Sequence, residues 1–332
     1  MRVTTSAVLR NYQTGLSKAT IQLNSDQNKV LSQRSFSTSA EDPAAAAQAF
    51  KLRKSYASTC DYISNTEGAI SKLDTVESSA VEMNTVAQSA KELILQGVNG
   101  ATSSEGRATI AASLRAYQET LVLAANAKYG DDFIYGGANT SEVPFELVNG
   151  ELQYYGIDVN TTDVDEQATL HKLASEEILT DIGFGLEVDG TSSVTSGTAF
   201  SISFSGLDAL GYGKDENGNE ANLVNLLGKI ADELEADGFD NTETSELSLQ
   251  FDSACSKLLN YVTGLGTKSN YLQTTLTRLE DNKSIITEKI SGLESVDMAE
   301  AITNYSWSQY AYNAALKVGN SILSQSFIDY MS

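Results

Sequence analysis

One histidine in the whole chain, His171, removes a large part of the catalytic repertoire at once. A zinc site or a metalloprotease helix needs several imidazoles or thiolates at fixed spacing, and a lone histidine builds neither. Cysteine is almost as scarce, and Cys60 and Cys255 stand far apart in sequence. One disulfide between them is an open alternative, but two isolated core thiols are the better reading, because free cysteine behaves as a small buried hydrophobe. No apolar run approaches the roughly 20 residues that a membrane-spanning helix requires. The opening MRVTTSAVLRNYQTGLSKAT has no continuous apolar stretch, so a cleaved secretory signal is not expected. GxSxG, Walker A, HExxH, CxxC and GxGxxG are all missing from suitable settings. The chain is therefore not expected to be an enzyme, and no catalytic residue, cofactor or metal ligand is nominated.

Bases are missing from the middle. Residues 131–246 hold 25 acids against only Lys172, Lys214 and Lys229, which accounts for the entire net charge of −22. The rest of the chain balances, with 19 acids and 19 bases. Nucleic-acid binding needs a basic footprint, which this stretch lacks. A strongly acidic segment suits an outer surface kept solvated. Residues 1–40 carry five bases and one acid, and residues 297–332 carry three acids and one base, so the two extremities attract each other weakly.

What is present is helical periodicity at both ends. Leu9, Tyr12, Leu16, Ala19, Leu23 and Val30 fall on a 3–4 alternation, with Asp26 the polar exception. Ile302, Tyr305, Tyr312, Leu316 and Leu323 do the same, with Gln309 and Gly319 weak, and Trp307 is expected to lie in this terminal seam. A further seam runs through Leu276, Leu279, Ile286, Ile290 and Leu293, interrupted by Lys283. Narrow apolar stripes of this kind want partner helices rather than a broad core. Residues 44–97 and 104–129 read as long alanine-rich helices, 221–236 as an amphipathic helix, and the stretch from 243 onward as helix with breaks near Gly264–Gly266 and Gly292.

From about residue 133 the pattern changes. VNGEL, around Asn149 and Gly150, is a hairpin signal, and TAFSISFSGLD alternates as a strand does. DENGNE, residues 215–220, resembles the start of a calcium loop but has Glu220 where the loop's glycine belongs, so it reads as a solvated turn. The expected fold is mainly α with a β-rich insert. Terminal segments 1–40 and 297–332 would form a coiled coil, 41–140 and 243–296 a helical rod, and 141–242 an acidic, β-rich outer domain.

The stretch AEDPAAAAQAF, residues 40–50, marks a helix start. Asp42 suits the N-cap, Pro43 the first helical position, and Glu41 the positive end of the helix dipole.

Two blocks carry a family resemblance. NKVLSQRSFSTSAEDPAAAAQAF (28–50) is similar to the bacterial flagellin family's leucine–serine segment, basic residue and Asp-Pro-Ala turn, with Gln33 in place of the usual glycine. EKISGLESVDMAEAITNYSWSQYAYNAALKVGNSILSQSFIDYMS (288–332) resembles that family's terminal block. Within the family, DDFIYGGANTSEVPFELVNGELQYYG (131–156), the acidic SVDMAEA run and the tail SQSFIDYMS resemble the junction branch more than the filament subunit. The resemblance implies a structural protein of the flagellum that links hook to filament and is exported without a cleaved signal. The filament flagellin is the alternative and a coiled-coil adhesin a remoter one. It implies partners as well: the adjacent hook-associated protein, flagellin, further copies in a ring or helical layer, and an export chaperone at the C-terminal helix. No nucleic acid and no membrane insertion are expected. The assembly interface would be the seams, Leu9, Tyr12, Leu16 and Leu23 with Ile302, Tyr305, Tyr312 and Leu316. Glu41, Asp42 and Pro43 would make the corner into the rod, where the following alanines let helices approach closely.

Overall fold

The computed structural model describes residues 5–99, 102–188, 194, 195, 197–214, 218–236, 239 and 241–331, and the side chains of all of these except 5 and 322–331. Leu323 and most of the acidic turn at 215–217 thus lie outside the described side chains. Five helices carry the ends of the chain: α1 (Thr5–Ser32), α2 (Pro43–Val98), α3 (Ser104–Ala125), then, after the insert, α7 (Asn241–Glu294) and α8 (Met298–Met331). Between them lie the short strands β1 (Lys128–Tyr129) and β2 (Asp132–Phe133), β3 (Phe145–Val148), β4 (Glu151–Tyr154) and β5 (Ile157–Asp158). Helix α4 (Val164–Ser175) follows, then β6 (Leu179–Thr180), β7 (Phe200–Ser201), α5 (Gly206–Leu210) and α6 (Leu223–Glu235). Among its described residues the insert therefore holds three helices beside its small antiparallel sheets.

The chain divides into two compact units, one made of residues 1–60 with 281–332, the other of 61–280. The division falls along α2 and α7 rather than in the turns near 40 and 297. The first turns of α2 and the last of α7 belong with the termini, as the Arg53–Glu294 ion pair at 2.7 Å and Lys283 over the Tyr56 ring show.

The larger unit is built on heptad spacing. Leu73, Val76, Ala80, Met83, Ala87, Ala90 and Ile94 alternate 3–4 along α2, and all are fully buried. Leu258, Leu265, Leu272 and Leu279 supply the matching side of α7, and Ala111, Leu114, Leu121 and Ala125 that of α3. Helix α7 runs unbroken through Gly264 and Gly266. A glycine costs a helix about 1 kcal/mol, which the buried leucines on either side offset. Helix α6 buries Leu223, Val224, Leu226, Leu227, Ile230 and Leu234 and packs on α3. Its start is set by Asn222, whose Oδ1 accepts from Val224 N at 3.0 Å and Asn225 N at 2.9 Å.

The β3–β4 hairpin turns on Asn149 and Gly150, both at positive φ, 53° and 87°, as a two-residue type I′ turn demands. Phe145 and Tyr154 face each other across it, with ring centroids 4.9 Å apart. The Asn126 side chain holds Phe145 from both sides, donating to its carbonyl at 2.8 Å and accepting from its N–H at 3.1 Å. Gln118 Nε2 donates to Gly150 O and Val224 O, tying the turn to α6. Phe145 also closes over Gly206, where a Cβ would fall 2.4 Å from its ring. The TAFSISFSGLD stretch is strand only at Phe200–Ser201. Ser205 Oγ then accepts from Leu207 N at 3.3 Å and starts α5 instead.

Candidate functional site

The smaller unit joins the two ends of the chain. Helices α1 and α8 pack antiparallel, with Asp26 against Ser308 and Tyr12 over Gly319. At the far end of the pair, Ser35 N donates to Glu294 O at 2.7 Å and Val296 N to Gln33 O at 3.2 Å. Helix α1 stops at Ser32, and Gln33 follows at φ 57°. This is the left-handed position after a helix end that glycine fills most easily. The residue read in sequence as standing in for a glycine therefore adopts the conformation a glycine would.

Across the pair, α8 presents Ala301, Tyr305, Ser308, Tyr312, Ala315 and Gly319, alternating 4–3–4–3–4 and all buried or half-buried. Helix α1 presents Tyr12, Leu16, Ala19, Leu23, Asp26 and Val30, equally covered. Five of the eight seam residues nominated from sequence, Tyr12, Leu16, Leu23, Tyr305 and Tyr312, thus lie on covered faces. The other three do not: Leu9 is 37 % exposed, Ile302 50 % and Leu316 43 %. On α8 the covered positions are Tyr305 and Tyr312 as nominated, but Ala301, Ser308 and Ala315 in place of Ile302, Gln309 and Leu316, because small side chains there and at Gly319 let the helices approach while the tyrosines fill the gaps. Choosing by bulk alone selects Ile302 and Leu316 instead. Trp307 also stands outside the seam, at 68 % exposure.

The polar exception in α1 has a partner. Asp26 is 5 % exposed; it accepts from Gln22 Nε2 at 3.1 Å and from the Ser308 hydroxyl across the pair. A buried polar contact in an apolar seam specifies one register. Replacing Ser308 by Ala leaves the carboxylate short of a donor, a loss of about 1–3 kcal/mol. Amide exchange should then speed up across α1 and α8 while that of the larger unit stays unchanged.

The corner before α2 is capped from the side chains. Asp42 Oδ1 accepts from Ala44 N at 3.1 Å and Ala45 N at 2.9 Å, and Pro43 is the first helical residue. Glu41 accepts from the backbone N–H and the hydroxyl of Ser37, each at 2.9 Å. Those two donors, the backbone one foremost, hold its carboxyl below the ordinary value.

The face of α8 turned away from α1 is apolar and bare. At about 3.6 residues per turn, Ile302, Thr303, Ser306, Trp307 and Tyr310 fall on the side opposite Ala301, Tyr305, Ser308 and Tyr312. They line an open groove of about 590 Å³. Trp307 and Tyr310 meet edge to face at 6.5 Å between centroids, 68 % and 71 % exposed. On α1, Ile21 and Leu31 are exposed to a similar degree. Large aromatics left together in water mark a surface made to be covered. Sequence reasoning found the stripe that pairs the helices and missed this second one, although its spacing is just as regular. Among the described residues no helix is long and apolar enough to cross a membrane, and no cluster of three or more acids, cysteines or histidines is placed to hold a metal.

Comparisons with known proteins point one way. Residues 3–140 match the bacterial flagellin N-terminal helical region, and residues 250–331 match the bacterial flagellin C-terminal helical region. The chain is 25% identical to the flagellar hook-associated protein 3 of Escherichia coli over 287 residues, covering 83% of each chain. It is 26% identical to the flagellar hook-associated protein 3 of Salmonella typhimurium over 172 residues, 51% of this chain and about half (54%) of that one. The solved flagellar junction protein FlgL of Legionella pneumophila superposes with a TM-score of 0.54 at 15% identity, covering 74% of this chain and 99% of that one. At that identity the likeness is one of fold.

Proposed function

The chain belongs to the bacterial flagellin family, and from that premise we propose that this structural protein of the flagellum forms the junction layer between hook and filament. The observation that carries the mechanism is the bare apolar face of α8. One side of that helix is already occupied by α1, so the other is available to a neighbouring subunit. Burying Ile302, Trp307 and Tyr310 there, with Leu9, Leu316 and the outer residues of α1, would make docking and ordering of the terminal pair one event. Contacts around such a layer are heterologous, each subunit offering one face to the next and a different face to the last, which generates a ring or helix from one chain type. The adjacent hook-associated protein and flagellin are the partners above and below. The covered seam residues Tyr12, Leu16, Leu23, Tyr305 and Tyr312 hold the docking helix in place. The acidic stretch faces outward, in keeping with its lack of a nucleic-acid footprint. The protein works outside the cell, reaching its place by flagellar export without a cleaved signal, and the apolar face of α8 is where an export chaperone would shield it beforehand. Nothing in this role calls for catalysis.

The test offers purified chain to isolated hook ends, with and without flagellin subunits, and follows growth by electron microscopy. A short zone of fixed length on the hooks, competent to seed filament growth, is the expected result. A blue shift of Trp307 emission on incorporation would place that residue inside the contact. Long filaments from this chain alone would make it the filament subunit. Failure to join hooks under conditions where flagellin polymerises would leave neither flagellar reading standing.

A further inference from the structure

In the larger unit, far in sequence from the docking helices, Val159, Gln167, Leu170, His171, Tyr212, Gly213 and Lys214 surround a cavity of about 480 Å³. That volume lies within the span of small-molecule sites, and the exposed lining is more polar than apolar, with several polar groups converging on it. Val159 and Leu170 are fully buried and form the floor. The Tyr212 hydroxyl meets His171 Nδ1 at 2.9 Å, with the two rings edge to face at 5.2 Å. When the hydroxyl donates, the imidazole proton is held on Nε2, a donor on the ring's other edge.

The charges around this cavity are unlike those elsewhere in the acidic stretch. Of its three lysines, Lys229 is paired with Glu220, and Lys172 reaches toward Glu176 at 3.9 Å. Lys214 has no acidic partner among the described residues, and it lines the same cavity as the chain's only histidine. Asp208, which lies within electrostatic reach of Tyr212, faces Lys268 as its own counter-charge. In a segment with about eight acids for every base, a lysine with no acidic partner among the described residues and the sole imidazole converge on one pocket.

We infer that this pocket binds a small anion, a carboxylate or phosphate, borne on or accompanied by a hydroxylated ring. The Lys214 ammonium supplies the charge, His171 Nε2–H a directed donor in the tautomer that the Tyr212 hydroxyl selects by donating, and Gln167 Oε1 an acceptor for hydroxyl groups, its Nε2 being held by Thr161 O at 2.8 Å. The half-buried Tyr212 ring suits the C–H face of a pyranose. The inference goes beyond the structural role proposed above and does not rest on it.

The single histidine makes the test direct. Full-length chain labelled with ¹³C-histidine gives one ring Cε1–H signal, read at fixed pH while galacturonate, galactose or inorganic phosphate is added. A saturable shift with galacturonate is expected, weakened about tenfold or more in Lys214→Gln, a charge-assisted contact, and unchanged in Lys172→Gln, which lies beside His171 but outside the cavity. A shift with galacturonate alone identifies a sugar acid. An equal shift with phosphate identifies a free anion, and either supports the site. No saturable shift with either up to about 10 mM, well above a millimolar dissociation constant, overturns it. So does an equal response to neutral galactose, or a Lys214→Gln chain that binds as the parent does.

Discussion

A chain carrying Trp307→Ala and Tyr310→Ala should fold as the parent does and fail to enter the junction. Both side chains are mostly in water, so their loss should change the stability of the isolated chain by no more than about 0.5 kcal/mol. At a buried contact the same truncations fall in the class of aromatic anchors, worth about 2 kcal/mol or more each, or about 30-fold in association. Incorporation onto hook ends, measured by sedimentation with the assembled structures, should drop by that factor for each single variant and be lost in the pair. Circular dichroism of the unassembled chain should not change. Parent-like incorporation of the double variant would mean that the bare face of α8 stays bare in the assembly. Leu16→Ala, on the covered face, provides the contrast, because it should loosen the α1–α8 pair before any partner is met.

The second large effect is in the larger unit. Phe145 is 1 % exposed, packed at a tilt against the Tyr154 ring, gripped by Asn126 and closed over Gly206. Phe145→Ala should cost about 3–5 kcal/mol, since the fixed backbone of Gly206 and the β3–β4 hairpin cannot collapse into the space. Urea unfolding followed by far-ultraviolet circular dichroism should show an early transition for residues 61–280, with hydrogen exchange in α1 and α8 little altered. A single shifted transition for the whole chain would instead mean that the two units unfold as one.

Local rules made much of this fold legible. Asp42 before Pro43 announces a helix start wherever it occurs, and Asn149–Gly150 a tight hairpin, because in each case the deciding interactions lie within three residues. Long heptad runs such as Leu73 to Ile94 are legible for a similar reason, since one periodicity repeats many times. What escaped depends on partners distant in sequence. Asp26 reads as a flaw in its stripe until Ser308, 282 residues on, is seen to donate to it. Ile302 and Leu316 look like seam residues until close approach through Ala301, Ser308 and Ala315 is known. The short β6–β7 pair, the extra helices of the insert and the His171 pocket arise from chain crossings that no local period encodes. The same ambiguity explains the bare face of α8: two apolar stripes on one helix are equivalent in sequence, and only the position of α1 tells the inner from the outer.

The distance between Asp26 and Ser308 along the chain also sets a clock. At about 5–20 residues per second, a ribosome that has just finished α1 needs roughly 15–60 s before the matching face of α8 exists. Throughout that interval the half-seam of Tyr12, Leu16 and Leu23 has nothing of its own to fold onto, while the contacts within residues 61–280 become available progressively. Synthesis therefore produces a chain whose terminal helices are the last to find each other, and a pathway that must thread the chain before it closes has that interval in which to do so.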